Sequence, residues 1–344
     1  MRGYLLLAGL TFCAGLSITS SAAEPTGIVL QAHEGWIGAV AFSPDNDLLA
    51  TAGADNLVRI RSLGTWRRKA TLKGHTDYVK AVTFSPDSDL VATGSYDHTV
   101  RLWKLWPGRQ LHTFEGHTGA VMAVAFTPDG TSLASAALDG TVRFWDTKTL
   151  KPRGVLNQHK VWVNDLAFSP DGRLLITGSS DNTVRFWSVD RLLPRIKLPD
   201  LDPLGKGGAE AQVASFHTKL GEVRSVAISR DGKTVAAGIR YGTVLIIDVP
   251  KRKLVHEFKA HQGDVWGLAF SPDGKLLATG DGDWNQPGRV LLWDTENWEK
   301  TKELAHTGEV QCLAFAPRGE YLAAGAWDRN VLIWDRKEYG GEEP

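Results

Sequence analysis

Between His117 and Asp146 the chain reads HTGAVMAVAFTPDGTSLASAALDGTVRFWD, and this order of apolar and polar positions recurs along most of its length. The run Val121 to Phe126 is apolar on both alternating faces, as expected of a strand covered by neighbouring sheets on either side. A Thr-Pro-Asp-Gly turn follows, then a second short apolar run, an Asp139-Gly140 turn and a third run closing on Trp145-Asp146. Pro presets the φ of a type I turn, and Asp-Gly tolerates the positive φ of a two-residue hairpin loop. Each unit therefore predicts short antiparallel strands joined by hairpins, in small sheets that stack face to face.

Seven histidines open the units: His33, His75, His117, His159, His217, His261 and His306. Their spacings are 42, 42, 42, 58, 44 and 45 residues, a repeat interrupted once. Self-similarity at this period points to a solenoid or a propeller. The interruption, Leu192 to Ala211, carries Pro194, Pro199, Pro203 and a glycine cluster, Gly205-Lys206-Gly207-Gly208, which mark a loop. Those glycines lack the spacing of a phosphate cradle.

On these residues the chain resembles the WD-repeat β-propeller family over residues 33–335, and specifically an exported, bacterial member with seven repeats. The resemblance implies an all-β fold, a seven-bladed β-propeller of four-stranded antiparallel blades. It also implies that each unit gives the outer strand of one blade and the three inner strands of the next. Thr26 to Gln31, containing Ile28-Val29-Leu30, then becomes the strand that closes the ring beside the last blade. The expected domains are a signal peptide over 1–23, the propeller over 24–335 and a flexible tail over 336–344.

Three units hold a histidine, a hydroxyl, an aspartate and a tryptophan in register: His75, Thr93, Asp97 and Trp103; His117, Ser135, Asp139 and Trp145; His159, Thr177, Asp181 and Trp187. In the family such residues form a buried chain from indole through hydroxyl and imidazole to carboxylate, which their donor and acceptor capacities permit. A hydrolytic triad is needed once, whereas this set repeats in consecutive units, so the expected role is structural. Other units depart from it. Arg61 stands at the tryptophan position of the first and Ala324 at the hydroxyl position of the seventh. In the fifth, Ala237, Tyr241 and Ile247 replace hydroxyl, aspartate and tryptophan, which leaves its regularity as a blade the weakest expectation. The sixth contains an insertion, Trp284 to Gly288. There Asp281, Asp283 and Asn285 have the alternate spacing of a calcium loop, but Gln286 and Leu292 break the rest of that pattern, so a decorated turn is expected.

The first 23 residues change the picture of where the protein works. Arg2, an apolar stretch from Tyr4 to Leu16 and Ser21-Ala22-Ala23 match the three regions of a secretory signal, and the apolar part is short for a membrane span. Export to the periplasm or outside the cell is expected, with no stable membrane insertion after cleavage. Cleavage leaves Cys312 as the sole cysteine, in an apolar strand run where a buried, inert thiol is expected. The 39 basic and 39 acidic residues argue against a nucleic-acid partner, and the clusters Arg67-Arg68-Lys69 and Lys251-Arg252-Lys253 fall in turns where solvated charge is ordinary.

Function should then lie on the top rim. One set of positions, three beyond the opening histidine in most units, is Trp36, Tyr78, Ala120, Trp162, Glu222, Asp264 and Glu309. A second, two residues on and therefore on the same side of a strand, is Gly38, Lys80, Met122, Asn164, Arg224, Trp266 and Gln311. A third, before the turn aspartate, includes Tyr96 and Trp327. Trp327, Trp36, Tyr78 and Tyr96 form an aromatic arc, with Trp162 and Trp266 further round, and Glu222, Asp264 and Glu309 form an acidic one. Aromatic residues suit a binding hot spot and carboxylates suit a Lys or Arg of the ligand. The expectation is a non-catalytic scaffold, monomeric or part of a complex, holding a protein or peptide at its top face without a cofactor or metal. The alternative is a cation-binding or enzymatic propeller that uses the three carboxylates at the channel mouth.

Overall fold

The computed structural model describes residues 26–192, 211–282 and 287–340. Their strands form seven four-stranded antiparallel sheets. Blade 1 sets Ile37–Phe42, Leu48–Gly53, Leu57–Ser62 and Arg68–Lys73 side by side from hub to rim. Blade 7 is completed from the other end of the chain: Ile28 lies opposite Ile333, Val29 opposite Leu332 and Leu30 opposite Val331. The ring is thus closed by the N-terminal strand, which covers an edge that would otherwise be open to pairing. The fifth unit forms a complete blade, Val223–Ile228 through Lys253–Lys259, despite its divergent sequence.

The turns follow from local chemistry. In the first hairpin of blade 3 the Thr127 hydroxyl donates to Asp129 at 2.6 Å and accepts from Ser132 N–H at 3.0 Å, and Gly130 supplies φ +69°. Asn46 and Ser88 take the same left-handed conformation in blades 1 and 2. Between blades the packing is close because the second strand of each is built from small residues. A Cβ on Gly94 would meet Val121 Cγ1 of the next blade at 2.6 Å, and one on Gly325 would collide with Ile37 across the closing seam. Trp103, Trp145, Trp187 and Trp334 fill the wider spaces further out and are fully buried.

Two expectations are corrected. Residues 336–340 are not a flexible tail: Arg336–Tyr339 is a helical turn with a capping box between Asp335 and Glu338 and a left-handed Gly340. It is held by Tyr339, 3% exposed, whose ring packs on Phe315 and whose hydroxyl donates to the Gly319 carbonyl. Residues 341–344 lie outside the described residues, as does 1–23. His217 does not open blade 5; it is exposed at the end of the outer strand Gln212–His217. Thr218 is the buried residue there, donating to the Gly221 carbonyl at 2.5 Å.

Candidate functional site: the top rim and the channel mouth

A buried relay beneath the rim holds the second hairpin of each of several blades. In blade 3 Trp145 Nε1 donates to Ser135 Oγ at 2.9 Å, Ser135 Oγ lies 2.8 Å from His117 Nε2, and His117 Nδ1 lies 2.9 Å from Asp139. Blade 2 repeats this with Trp103, Thr93, His75 and Asp97 at 2.9, 2.7 and 2.7 Å. Blade 4 does so with Trp187, Thr177, His159 and Asp181 at 2.9, 2.7 and 3.0 Å. Indole can only donate and carboxylate only accept, so the hydroxyl gives its proton to a neutral imidazole. Burial pushes these imidazoles below their ordinary value against the pull of the aspartates. Burial also opposes charge on the aspartates, yet hydrogen bonds from the histidines hold the carboxylates well below the usual range. Thr93, Ser135 and Thr177 have no exposed surface, so none can reach a substrate.

Two more blades carry related sets: that of blade 1, His33, Thr51 and Asp55, is legible in the sequence, and that of blade 6 is not. In blade 6 Trp293 donates to Thr279 at 3.0 Å, Thr279 meets His261 at 2.6 Å, and Asp281 lies 3.3 Å from His261 Nδ1. The insertion moves the tryptophan out of register, and the aspartate comes from Asp281, two residues before the position that counting from the histidine gives. Asp281 accepts from Arg289 N–H at 3.0 Å and approaches His261 Nδ1 without a hydrogen bond to it, so this relay is looser at its acidic end; Asp283 and Asn285 lie outside the described residues. In blade 1 Arg59 bridges Asp55 at 2.6 Å and, with no tryptophan present, the relay ends at Thr51.

Above the relay the rim positions are locked in pairs by the backbone. Trp36 O accepts from Ala54 N–H, Tyr78 O from Tyr96 N–H, Trp162 O from Ser180 N–H and Glu309 O from Trp327 N–H, at 2.8 to 3.0 Å. The aromatic arc consists of two packed pairs. Trp36 stacks on Trp327 with centroids 4.8 Å apart and planes 14° from parallel, and Tyr78 packs against Tyr96 at 5.1 Å. The edge of the Tyr78 ring closes over Gly38, where any side chain would displace it. Trp36 and Trp162 are each 49% exposed.

The channel mouth is made by seven irregularities of one kind. Every innermost strand shifts register around one residue near its start, as at Val79/Ala81 and Val223/Ser225. Such a bulge re-aims one side chain. The residues skipped, Gly38, Lys80, Met122, Asn164, Arg224, Trp266 and Gln311, all line one central cavity of about 180 Å³. Within it Arg224 sits 4.8 Å and Lys80 5.6 Å from the Trp266 ring centroid. Asp165, a lining residue absent from the sequence-based sets, accepts from Leu166 and Val226 N–H at 2.8 Å each. Burial drives its carboxyl up to about 6. Cys312 also lines the cavity, with its thiol pushed up to about 11 by burial.

The acidic arc is not available as expected. Glu222 is taken by Arg224 at 2.8 Å, Arg240 at 2.9 Å and the Ser180 hydroxyl at 2.9 Å. Asp264 is taken by Arg224 at 2.8 Å and by Tyr241 N–H at 3.0 Å. Glu309 is 7% exposed and accepts from Gln311 at 3.1 Å. The sequence placed all three carboxylates near the mouth but could not show that arginines from the neighbouring positions fold back onto two of them. Among the described residues no group of three or more His, Cys, Asp or Glu side chains is placed to hold a metal ion.

A family model described as the first β-propeller of WD repeat-containing protein 75 matches residues 64–182. The WD domain, G-β repeat model matches residues 24–62, 252–294 and 298–335. With seven four-stranded blades and the relays in place, these matches decide the family. The protein belongs to the WD-repeat β-propellers.

The stretch between the matched regions, residues 183–251, contains most of blade 5, where Ala237, Tyr241 and Ile247 leave no relay to recognise. Protein LST8 homolog of Drosophila melanogaster is 33% identical over 94 residues, 24% of this chain and 28% of that protein. WD repeat-containing protein VIP3 of Arabidopsis thaliana is 42% identical over 59 residues, 17% of this chain and 18% of that one. Guanine nucleotide-exchange factor SEC12 of Rattus norvegicus is 42% identical over 55 residues, 16% of this chain and 13% of the relative. The matches therefore span less than a third of each relative's own length. These relatives are eukaryotic and lend no support to a bacterial origin. WD-repeat propellers are typically protein-interaction scaffolds and generally not enzymes.

Proposed function

We propose that this WD-repeat propeller is an exported, non-catalytic scaffold that holds a protein or peptide on its top rim, with the arc Trp327, Trp36, Tyr78 and Tyr96 as the main gripping surface. The observation that carries this reading is the Trp36–Trp327 stack, which leaves Trp36 half exposed on a fixed backbone. A rigid aromatic pair offers large apolar area at little entropic cost, and aromatics of this kind dominate measured hot spots. Trp162 extends the surface beyond the arc. The hydroxyls that would suggest hydrolysis are sealed inside the relays, and Glu222 and Asp264 are neutralised by arginine.

The test is capture of partners from envelope and secreted fractions of the source cells by the full-length protein and by a Trp36→Ala, Tyr78→Ala double variant. Loss of a captured protein from the variant, with unchanged melting, supports the rim. An unchanged set of captured proteins removes it. Export rests on the residues of 1–23, and the mature protein should begin at Glu24; a mature protein that retains Met1 would contradict cleavage.

A further inference from the structure

The sequence pattern points to a basic ligand, but the charges at the mouth point the other way. Arg224 is committed to Glu222 and Asp264. Lys80 is not committed. Its only hydrogen bond among the described residues is a long one, 3.4 Å, to the neutral Gln311 Oε1, and its other close neighbour is the Trp266 ring. An ammonium carries three donors and is costly to hold away from water without an anion. Burial opposes charge on Lys80, while Cys312, Asp165 and Glu309 favour it, and among the described residues Lys80 forms no ion pair within 4.0 Å. Asp165 spends its oxygens on two backbone amides of its own and the neighbouring blade, and Glu309 takes the Gln311 amide.

We propose, building on the top-rim reading above, that the partner is a peptide segment whose Asp or Glu side chain enters the channel mouth and pairs with Lys80 while the aromatic arc holds the flanking peptide. The cavity of about 180 Å³ admits such a group with a few waters. One uncommitted cation matches one negative charge. A phosphoryl group, with close to two charges at neutral pH, would be under-neutralised here. Trp266 contributes an apolar wall that lowers the local dielectric and strengthens the pair.

The experiment is a peptide array in which every sequence appears in four forms, with Glu, Gln, Lys or phosphoserine at one fixed position. It is probed with the full-length protein, with Lys80→Met and with Trp36→Ala. Lys80→Met keeps the stem and deletes the charge, and its melting temperature should not fall. The expected result is that peptides bound in the Glu form lose about tenfold in affinity as Gln, which is about 1.4 kcal/mol, and that this difference disappears in Lys80→Met. Trp36→Ala should weaken Glu and Gln forms alike. Preference for Lys or phosphoserine, a Glu preference that survives Lys80→Met, or no bound peptide at all overturns the proposal. If Trp36→Ala abolishes binding but Glu and Gln bind equally, the rim reading stands and the carboxylate inference fails. If the Glu preference depends on Lys80 but Trp36→Ala changes nothing, the channel stands and the rim reading fails.

Discussion

In the last blade the indole N–H of Trp334 is buried without a hydrogen-bond acceptor among the described residues, because Ala324 stands where four other blades place the hydroxyl that receives it. His306 compensates poorly, reaching the Ala324 carbonyl at 3.4 Å, and Asp328 turns to Thr307 and Asn330. The seam blade is therefore one whose relay is broken.

Ala324→Ser should repair it. An unsatisfied buried donor costs about 1–3 kcal/mol, so supplying the oxygen should raise stability by about 1 kcal/mol. The urea midpoint should rise with an unchanged slope. A lower midpoint would mean that the site cannot admit the hydroxyl.

His117→Ala should do the reverse in an intact blade. It strands the Ser135 hydroxyl and removes a partner from Asp139, at a cost of roughly 1–3 kcal/mol. Thermal melting of this variant alongside the native protein measures the loss, and identical melting would refute the structural role of the relay.

Acid should destabilise the protein from well above the range of its carboxylates. His33, His75, His117, His159 and His306 all lie below their ordinary value of 6.5 when folded, burial being the largest cause in each. The unfolded chain then binds protons first, so their contribution is complete above pH 6.5 and is lost as pH falls. Asp55, Asp97, Asp139 and Asp181 are depressed as well and add a second loss below their ordinary value of 3.8. Asp165, raised to about 6, has the opposite sign: its contribution is present below 3.8 and lost as pH rises through 6. Five imidazoles act in the first sense and one carboxyl in the second. The urea midpoint should be lower at about pH 5 than at about pH 7, and the drop should be smaller in His117→Ala.

Much of this architecture is legible in the sequence because a blade is a local object. Turn residues, strand alternation and the histidine period all sit within one repeat, and the place of Ile28 to Leu30 is what the resemblance to the family implies. What is not legible depends on residues far apart in sequence. Nothing around Glu222 reveals that Arg240 folds back on it, or that Arg224 spans from it to Asp264 in the next repeat. The blade 6 relay was hidden by an insertion of a few residues, and the ordered turn at 336–340 depends on Tyr339 finding a place beside Phe315.

The closing strand gives a further prediction. Deleting residues 24–31 uncovers Asn330 to Ile333, so the amides that face the lost strand should exchange about tenfold faster or more, while those of Thr183–Ser188 in blade 4 stay protected. Equal exchange in both strands would show that the seam is held by blade packing alone.

The seven bulges separate two tasks that most folds must settle with the same side chains. The residue before each is Ile or Val, seated in several blades against the small second-strand residues of the preceding blade, and the residue after it is small except at Asp165. The skipped residues are Gly, Lys, Met, Asn, Arg, Trp and Gln, no two alike. Outside Gly38, where a side chain would collide with the Val79 carbonyl, evolution or an engineer can therefore rewrite the lumen one letter at a time and keep the frame that carries it.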